Sequence, residues 1–185
     1  MRLFTAIDLP RPILEALERL IRSLRPAARI QWSPPANLHI TTKFIGEWPD
    51  ARLDEVTGTL AGLAPREPFP VDVRGLGWFP NARAPRVFWA GIHAPPALAQ
   101  LAADTESALE GLGIAREARA FSPHLTLARI KAPVPLEPLR QAIDKFGSAE
   151  FGSFTAESFC LYQSRLRPGG SVYTRIAEYP LGRRA

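Results

Sequence analysis

The stretch NLHITTKFIGE, residues 37–47, has a counterpart in SPHLTLARI, residues 122–130. Each contains a histidine, then one residue of any type, then a threonine, within a run rich in apolar and β-branched residues that predicts a strand. The chain of 185 residues has three histidines, and two of them fall in this HxT arrangement. The repeated motif therefore predicts two equivalent strands that contribute to one site.

The elements around the two HxT strands follow the same order in both halves of the chain. A strand at 3–7 comes first, and each half then contains a helix, the HxT strand, a second helix and a pair of strands. In the first half these are expected at 10–24, 38–45, 54–63, 69–78 and 86–92. In the second half they are expected at 95–112, 124–130, 136–146, 154–164 and 171–179. The pattern predicts an α+β fold built by duplication, in one domain that spans residues 1–185.

The chain is basic, with a net charge of +5 and a pI of about 10.0. Arginine supplies nearly all of the positive charge, because lysine occurs only at positions 43, 131 and 145. A basic surface favours a partner that carries phosphate, although a GC-rich genome would produce the same arginine-rich composition.

The cysteine content and the N-terminus indicate the compartment. Cys160 is the only cysteine, which excludes an internal disulfide and a cysteine-based zinc site and favours a reducing environment. The N-terminal run is interrupted by Asp8 and Pro10 too early for a signal peptide, and no apolar run approaches the ~20 residues of a membrane span. We expect a cytoplasmic protein with no membrane segment.

Strand geometry places each histidine and its threonine on one face. Side chains at i and i+2 of a strand point to the same side, so His39 lies with Thr41, and His124 with Thr126. If the two strands lie side by side about a pseudo-twofold axis, two imidazoles and two hydroxyls line one groove. An imidazole pair suits a reaction that needs a base on one side of a centre and an acid on the other. In-line cleavage of a phosphodiester has this requirement, and threonine hydroxyls can hydrogen-bond the non-bridging oxygens.

Two cations near the motifs are candidates for further phosphate contacts. Lys43 follows His39 by four positions and shares its strand face if no bulge intervenes. Arg129 follows Thr126 by three, so we expect it at the strand end, from which it can reach the groove. Arginine suits such a contact because its planar guanidinium matches the geometry of phosphate oxygens.

The motifs resemble those of a known family. HITTKFIGE and SPHLTLARI, with MRLFTAIDLP, PRVFWAGI and LYQSRLRPGGSVYTRI, are similar in order to the two-histidine (2H) phosphoesterases, and within them to the RNA 2′,3′-cyclic phosphodiesterases, also called 2′-5′ RNA ligases. The resemblance implies a bilobal α+β fold of two pseudo-symmetric lobes, with mainly antiparallel sheets, outer helices and a central groove. It also implies hydrolysis of an RNA terminal 2′,3′-cyclic phosphate to a 2′-phosphate, without metal or nucleotide cofactor.

The resemblance also suggests roles for the two histidines. It implies that His124 activates water and His39 protonates the departing 3′ oxygen, an assignment that the near symmetry of the site makes easy to reverse. Thr42 departs from the family pattern, which usually has an apolar residue directly after HxT. We expect this difference to affect packing more than chemistry.

Other kinds of site have less support in the sequence. The third histidine, His93, lacks a threonine at i+2 and is expected at a strand end. No HxH or HExxH spacing predicts a metal site, and no glycine-rich phosphate loop predicts ATP binding. Aromatic side chains that could stack on bases are expected among six residues. They are Trp32, Trp78, Phe79, Trp89, Phe121 and Tyr162.

Two other functions remain open at this stage. One is an RNA-binding module in which the histidines serve only binding, which predicts salt-sensitive RNA binding that survives loss of either histidine. The other keeps the site but uses a small cyclic phosphate or a cyclic nucleotide as substrate. Ligation of 2′-5′ ends is a reverse reaction through the same intermediate geometry. The expected partner is an RNA end that carries a 2′,3′-cyclic phosphate, and we expect the protein to act as a monomer.

Overall fold

The computed structural model describes residues 1–182 and shows a mixed α+β fold with two antiparallel sheets. The strands are β1 (Arg2–Asp8), β2 (Gln31–Trp32), β3 (His39–Glu47), β4 (Phe69–Phe79), β5 (Val87–His93), β6 (His124–Arg129), β7 (Glu150–Ala156), β8 (Ser158–Arg167) and β9 (Gly170–Pro180). The α-helices are α1 (Arg11–Leu24), α2 (Leu53–Ala61), α3 (Pro96–Glu110) and α4 (Glu137–Phe146). The first sheet has the order β3-β1-β8-β9, and the second has the order β2-β6-β5-β4-β7.

Helices α1 and α3 begin at the prolines that the sequence predicts, and α1 buries the predicted face. Helix α1 follows Pro10 and has Pro12 in its first turn, where the missing N–H of proline costs nothing. Its apolar residues recur at intervals of three and four, and this stripe faces the core. The buried positions are Ile13, Leu17, Leu20, Ile21 and Leu24. Helix α3 begins in the same way at Pro95-Pro96.

The two halves of the chain exchange their strand pairs. The β4–β5 pair of the first half joins β6, the HxT strand of the second half. The β8–β9 pair of the second half joins β1, which in turn pairs with β3, the HxT strand of the first half. Each sheet therefore contains strands from both halves, and the apolar core is continuous between them.

The helices lie outside the sheets and are exchanged in the same sense. Helix α1 packs against α4 and β7 of the second sheet, whereas α2 and α3 pack together against β9 and β3 of the first sheet. The helices leave one face of each HxT strand uncovered. These two faces are free to approach each other, and β3 contacts β6. Among the described residues, no helix is long and apolar enough to cross a membrane.

One predicted strand is wrong. The run 154–164, expected as one strand, is the end of β7 and most of β8, which separate at Glu157 and belong to different sheets. No proline or glycine marks the break. The carbonyl of Glu157 accepts a hydrogen bond of 2.7 Å from the N–H of Leu181, so the backbone stays satisfied there without a turn.

Candidate functional site

A groove with a volume of about 490 Å³ lies where the two HxT strands meet. His39 and Thr41 line it from β3, and His124 and Thr126 line it from β6. The structure thus brings together the four residues of the two motifs, as the sequence predicts. Ile40 and Leu125, the residues between each histidine and its threonine, are fully buried on the opposite faces.

A β-bulge follows the threonine in β3. Thr41 pairs with Ala6 of β1 and Lys43 pairs with Thr5, so that Thr42 is an extra residue without a partner of its own in the register. The hydroxyl oxygen of Thr42 lies 2.7 Å from that of Thr5, and both side chains are buried. Thr42 does not line the groove, and its buried hydroxyl is satisfied by this hydrogen bond. That the difference from the family pattern affects packing more than chemistry stays a prediction.

An equivalent bulge follows the threonine in β6. Thr126 pairs with Trp89 of β5 and Ala128 pairs with Phe88, which leaves Leu127 as the extra residue. The bulge restores the groove-facing direction at the third position after the threonine. Arg129 accordingly lines the groove, as the sequence analysis expected, and it forms no ion pair within residues 1–182.

The expectation that Lys43 shares the face of His39 is wrong, because the bulge at Thr42 reverses the alternation. Lys43 is 4% exposed, and its ammonium group donates hydrogen bonds to Glu106 of α3, at 2.5 Å, and to the carbonyl of Ala115, at 2.8 Å. The charge is therefore neutralised on the side of the sheet away from the groove. Phe44, which is 40% exposed, lines the groove in its place.

His39 lies in an aromatic enclosure. Its ring stacks on Phe4, with 4.8 Å between ring centroids, and meets Tyr173 edge-on at 5.1 Å. Burial in this enclosure lowers the pKa of His39 to about 4, although hydrogen bonding to the backbone of Asn37 and the nearby charge of Asp8 oppose the shift. The imidazole is therefore neutral at neutral pH in the free protein.

Asp8 is held in place behind His39. It lies opposite His39 in the β1–β3 register, and its Oδ1 accepts a hydrogen bond of 2.6 Å from the hydroxyl of Tyr162. Arg175 Nη1 lies 3.5 Å from the other carboxylate oxygen. Burial and the adjacent carboxylate raise the pKa of Tyr162, so the phenol stays protonated and can donate this bond.

The ring of His124 is oriented by a hydrogen bond to the backbone of Ser122. Its Nδ1 lies 2.8 Å from the carbonyl oxygen of Ser122, which can only accept, so the Nδ1–H donates and Nε2 is the free ring nitrogen. The edge of the ring meets Phe79 at 4.9 Å. Burial lowers the pKa of His124, the bond to Ser122 opposes this, and the charge of Arg129 lowers it further.

The remaining lining of the groove is polar, aromatic and positively charged. Its cations are Arg2, Arg129 and Lys131, and none of the described residues that line it is acidic. Such a lining favours an anionic ligand, because nothing in it repels negative charge.

The aromatic candidates are only partly in the groove. Of the six predicted positions, Trp32 lines it, while Tyr162 stacks behind Phe4 at 5.4 Å. Phe4, Phe44 and Tyr173 also line the groove and were not predicted from the sequence. Alternation along β1 places Phe4 on the same strand face as Arg2, which also lines the groove, but no local signal shows that this face meets the HxT strands.

The third histidine lies apart from the other two. His93 is the exposed last residue of β5, as predicted, and it does not line the groove. Across residues 1–182, no group of three or more His, Cys, Asp or Glu side chains is arranged to hold a metal ion.

Comparison with known families gives one match that covers most of the chain. A family model described as LigT like phosphoesterase matches residues 7–89 and 92–173, so that each matched segment contains one HxT strand.

Comparison with curated proteins and solved structures agrees with this family match. The chain is 33% identical to an RNA 2′,3′-cyclic phosphodiesterase of Methanothermobacter thermautotrophicus, with 98% of this chain and 99% of the relative covered. A protein of the same name from Thermus thermophilus is 36% identical over 98% of this chain and 90% of its own. A crystal structure of a Thermus thermophilus protein is similar with a TM-score of 0.83 and 34% identity over the whole of both chains. Escherichia coli LigT complexed with 3′-AMP has a TM-score of 0.74 and 26% identity, with 98% of both chains covered.

Proposed function

The chain belongs to the LigT-like phosphoesterase family, and on that basis we propose that it hydrolyses a 2′,3′-cyclic phosphate at the end of an RNA to a 2′-phosphate. The observation that carries the proposal is the pair of HxT motifs on two strands that line one groove without a carboxylate among its described residues. The names of the curated relatives support the substrate class.

The reaction needs two proton transfers that a histidine pair can perform. The oxygen of water attacks phosphorus and loses a proton to one imidazole, while the bond from phosphorus to the 3′ oxygen breaks and that oxygen takes a proton from the other imidazole. His124 presents a free Nε2, because its Nδ1–H is bound to the carbonyl of Ser122. The direction implied by the family resemblance, with His124 as base and His39 as acid, remains a prediction.

Binding of the anionic substrate supplies the negative charge that His39 needs in order to act as the acid. In the free protein burial lowers the pKa of His39 to about 4, so an acid at this position needs a nearby anion to hold its proton. The cyclic phosphate carries one negative charge and would lie among Thr41, Thr126 and Arg129, raising the pKa of both imidazoles. Lys43 has no place in this site, because its charge is already neutralised by Glu106.

The threonine hydroxyls and Arg129 can stabilise the transition state. Hydroxyl donors directed at the non-bridging oxygens strengthen as negative charge builds on them. Arg129 adds a positive charge whose position is set by the bulge rather than by a flexible loop. We further propose that the same groups catalyse 2′-5′ ligation, in which a 5′ hydroxyl takes the place of water. Its oxygen attacks phosphorus and loses a proton to one imidazole, while the bond from phosphorus to the 3′ oxygen breaks and that oxygen takes a proton from the other imidazole. We also propose that the protein acts as a monomer without a metal ion.

The test is product analysis with the purified protein. A short oligoribonucleotide ending in a 2′,3′-cyclic phosphate is incubated with EDTA and without ATP, and the product is identified by its resistance to a 3′-specific phosphatase. His39→Ala and His124→Ala should each lower kcat by about 10²–10⁴-fold, because each removes one proton transfer. His93→Ala, at the exposed end of β5, is the matched control and should retain full activity.

The outcomes separate the competing functions. A 2′-phosphate product that both substitutions abolish supports the proposal. RNA binding without turnover, unaffected by the two substitutions, would indicate a binding module. Turnover of a cyclic mononucleotide with no activity on the oligonucleotide would indicate a small cyclic phosphate as substrate.

A further inference from the structure

We propose that Asp8 is a positioning residue that makes the two histidines unequal, because its fixed carboxylate favours the protonated form of His39, whereas the equivalent position beside His124 is Gly91. The inference rests on the proposed function and deepens it, since it explains how a nearly symmetric site assigns the acid and the base. The phosphate of the substrate would lie between the two imidazoles and favour a proton on both. A charge that belongs to one lobe alone is needed to distinguish them.

The two lobes pair their strands in the same register around each histidine. Strand β1 lies beside β3 as β5 lies beside β6, and each pair has a bulge after the threonine. In the first pair Asp8 lies directly opposite His39, and in the second pair Gly91 lies directly opposite His124. Side chains in such opposite positions have Cβ atoms about 4.5–5.5 Å apart. A charge opposite a histidine therefore acts directly on its imidazole.

The backbone beside His124 leaves no room for a carboxylate. A Cβ at Gly91 would lie 2.4 Å from the carbonyl oxygen of Arg74, which is too close for any side chain. Burial lowers the pKa of His124, and the positive charge of Arg129 lowers it further. Burial also lowers the pKa of His39, but there the negative charge of Asp8 opposes the shift. The two imidazoles thus have neighbouring charges of opposite sign.

The carboxylate of Asp8 is held at both oxygens and keeps its negative charge. Its Oδ1 accepts a hydrogen bond of 2.6 Å from the hydroxyl of Tyr162, and its Oδ2 lies 3.5 Å from Arg175 Nη1. The same Nη1 lies 3.3 Å from Glu178, so one guanidinium is shared by two carboxylates and the cluster stays negative. The side chain of Asp8 is 44% exposed, so water screens its effect on His39 in part.

The other titratable or charged groups around His39 come from four strands. They are Arg2 of β1, Tyr162 and Cys160 of β8, Tyr173 and Arg175 of β9, and His124 and Arg129 of β6. Burial raises the pKa of Cys160 to about 11 and also raises the pKa of Tyr162, so both are uncharged at neutral pH. Asp8 therefore provides the negative charge beside His39 before substrate binds.

The test is the pH dependence of kcat for Asp8→Asn with the oligonucleotide that ends in a cyclic phosphate. The amide keeps the size of the side chain and can still accept the hydrogen bond from Tyr162, so the variant loses the charge alone. The high-pH limb, on which the acid loses its proton, should move down by about 0.5–1 pH unit, and kcat above this limb should fall by about 3–10-fold. The low-pH limb should stay in place. KM should change by less than about twofold, because Asp8 does not line the groove.

Asp72→Asn is the matched control. Asp72 lies opposite His93 in the β4–β5 register, as Asp8 lies opposite His39, and its Oδ1 accepts a hydrogen bond of 2.6 Å from Ser153. The variant removes the same charge beside the histidine that lies outside the groove, and neither limb should move. It separates a charge next to His39 from a change in the net charge of the protein.

NMR gives a second measurement that does not depend on turnover. The chain has three histidines, so the ring signals can be assigned from the three His→Ala variants. The titration of His39 is followed in the free protein and with saturating sulfate, which stands in for the phosphate and keeps a constant charge as the histidines titrate. The midpoint should be about 0.5–1 pH unit lower in Asp8→Asn than in the wild-type protein, and unchanged in Asp72→Asn.

Each remaining outcome decides one claim. An equal loss of kcat at every pH would indicate a structural role and overturn the proposal. A shift of the low-pH limb would overturn it as well, because His39 would then be the base. If the wild-type protein turns over neither the oligonucleotide nor a cyclic mononucleotide, the proposed function fails, and NMR alone judges Asp8. Equal midpoints for His39 in wild type and Asp8→Asn would then overturn the proposal.

Discussion

The partly buried, neutral imidazole of His39 should make the protein lose stability as the pH falls from about 6.5 to about 4. In the unfolded chain the pKa of this group returns to 6.5, whereas burial lowers the pKa of His39 in the folded protein to about 4. Above pH 6.5 neither state binds a proton, and the full stability is present. Between the two pKa values the unfolded state binds a proton that the folded state does not, so acid favours unfolding until the folded state is protonated as well.

The size of the loss follows from the separation of the two pKa values. Each unit of difference corresponds to 1.36 kcal/mol, so His39 should account for about 2 kcal/mol at pH 5 and about 3 kcal/mol at pH 4. Urea unfolding at 25 °C, followed by circular dichroism at several pH values, measures this free energy.

The substitution His39→Phe isolates the contribution of this one group. A phenyl ring has no titrating nitrogen and can occupy the space beside Phe4 and Tyr173. The variant should lose about 3 kcal/mol less than the wild-type protein between pH 7 and pH 4, because carboxylate titration is common to both. His93→Gln should follow the wild-type curve. If the unfolding free energies of wild type and His39→Phe fall in parallel with pH, the claim that folding keeps His39 neutral is refuted.

Other measurements test further parts of the structure. The dependence of kcat/KM on pH should be bell-shaped and centred below pH 6.5, since burial lowers the pKa of both histidines in the free protein. The profile of kcat should lie at higher pH, because the bound anion raises both pKa values, and identical profiles would contradict this. Lys43→Met should destabilise the fold by about 3 kcal/mol, because Glu106 loses its ion-pair partner and keeps the hydrogen bond from the backbone N–H of Glu117, yet KM should be unchanged. A raised KM with normal stability would return Lys43 to the phosphate site. Gly91→Ala should cost about 1–3 kcal/mol, because its Cβ would lie 2.4 Å from the carbonyl oxygen of Arg74, and an unchanged urea midpoint would contradict that packing. Activity should survive excess EDTA, and recovery with added Zn²⁺ after loss would show that a metal takes part.

Much of the candidate site could be predicted from local sequence. The HxT spacing alone places His39 with Thr41 and His124 with Thr126, because the period of a strand is independent of its neighbours. Most helices and strands follow from apolar periodicity and from the prolines at the helix starts. The exchange of strand pairs between the halves could not be predicted in this way, because pairing depends on which strand edges meet in space.

The two bulges mark the point where local reasoning ends. Strict alternation would direct Lys43 into the groove and Phe44 into the core, and the structure shows the reverse. An extra residue in β3 exists only relative to the register of β1, so no pattern within β3 reveals it. The depressed pKa of His39 likewise depends on rings from β1 and β9. Local sequence specifies which residues can carry the chemistry, whereas the packed strands specify which of them meet the groove and in what charge state, because register and burial arise only when strands pack together.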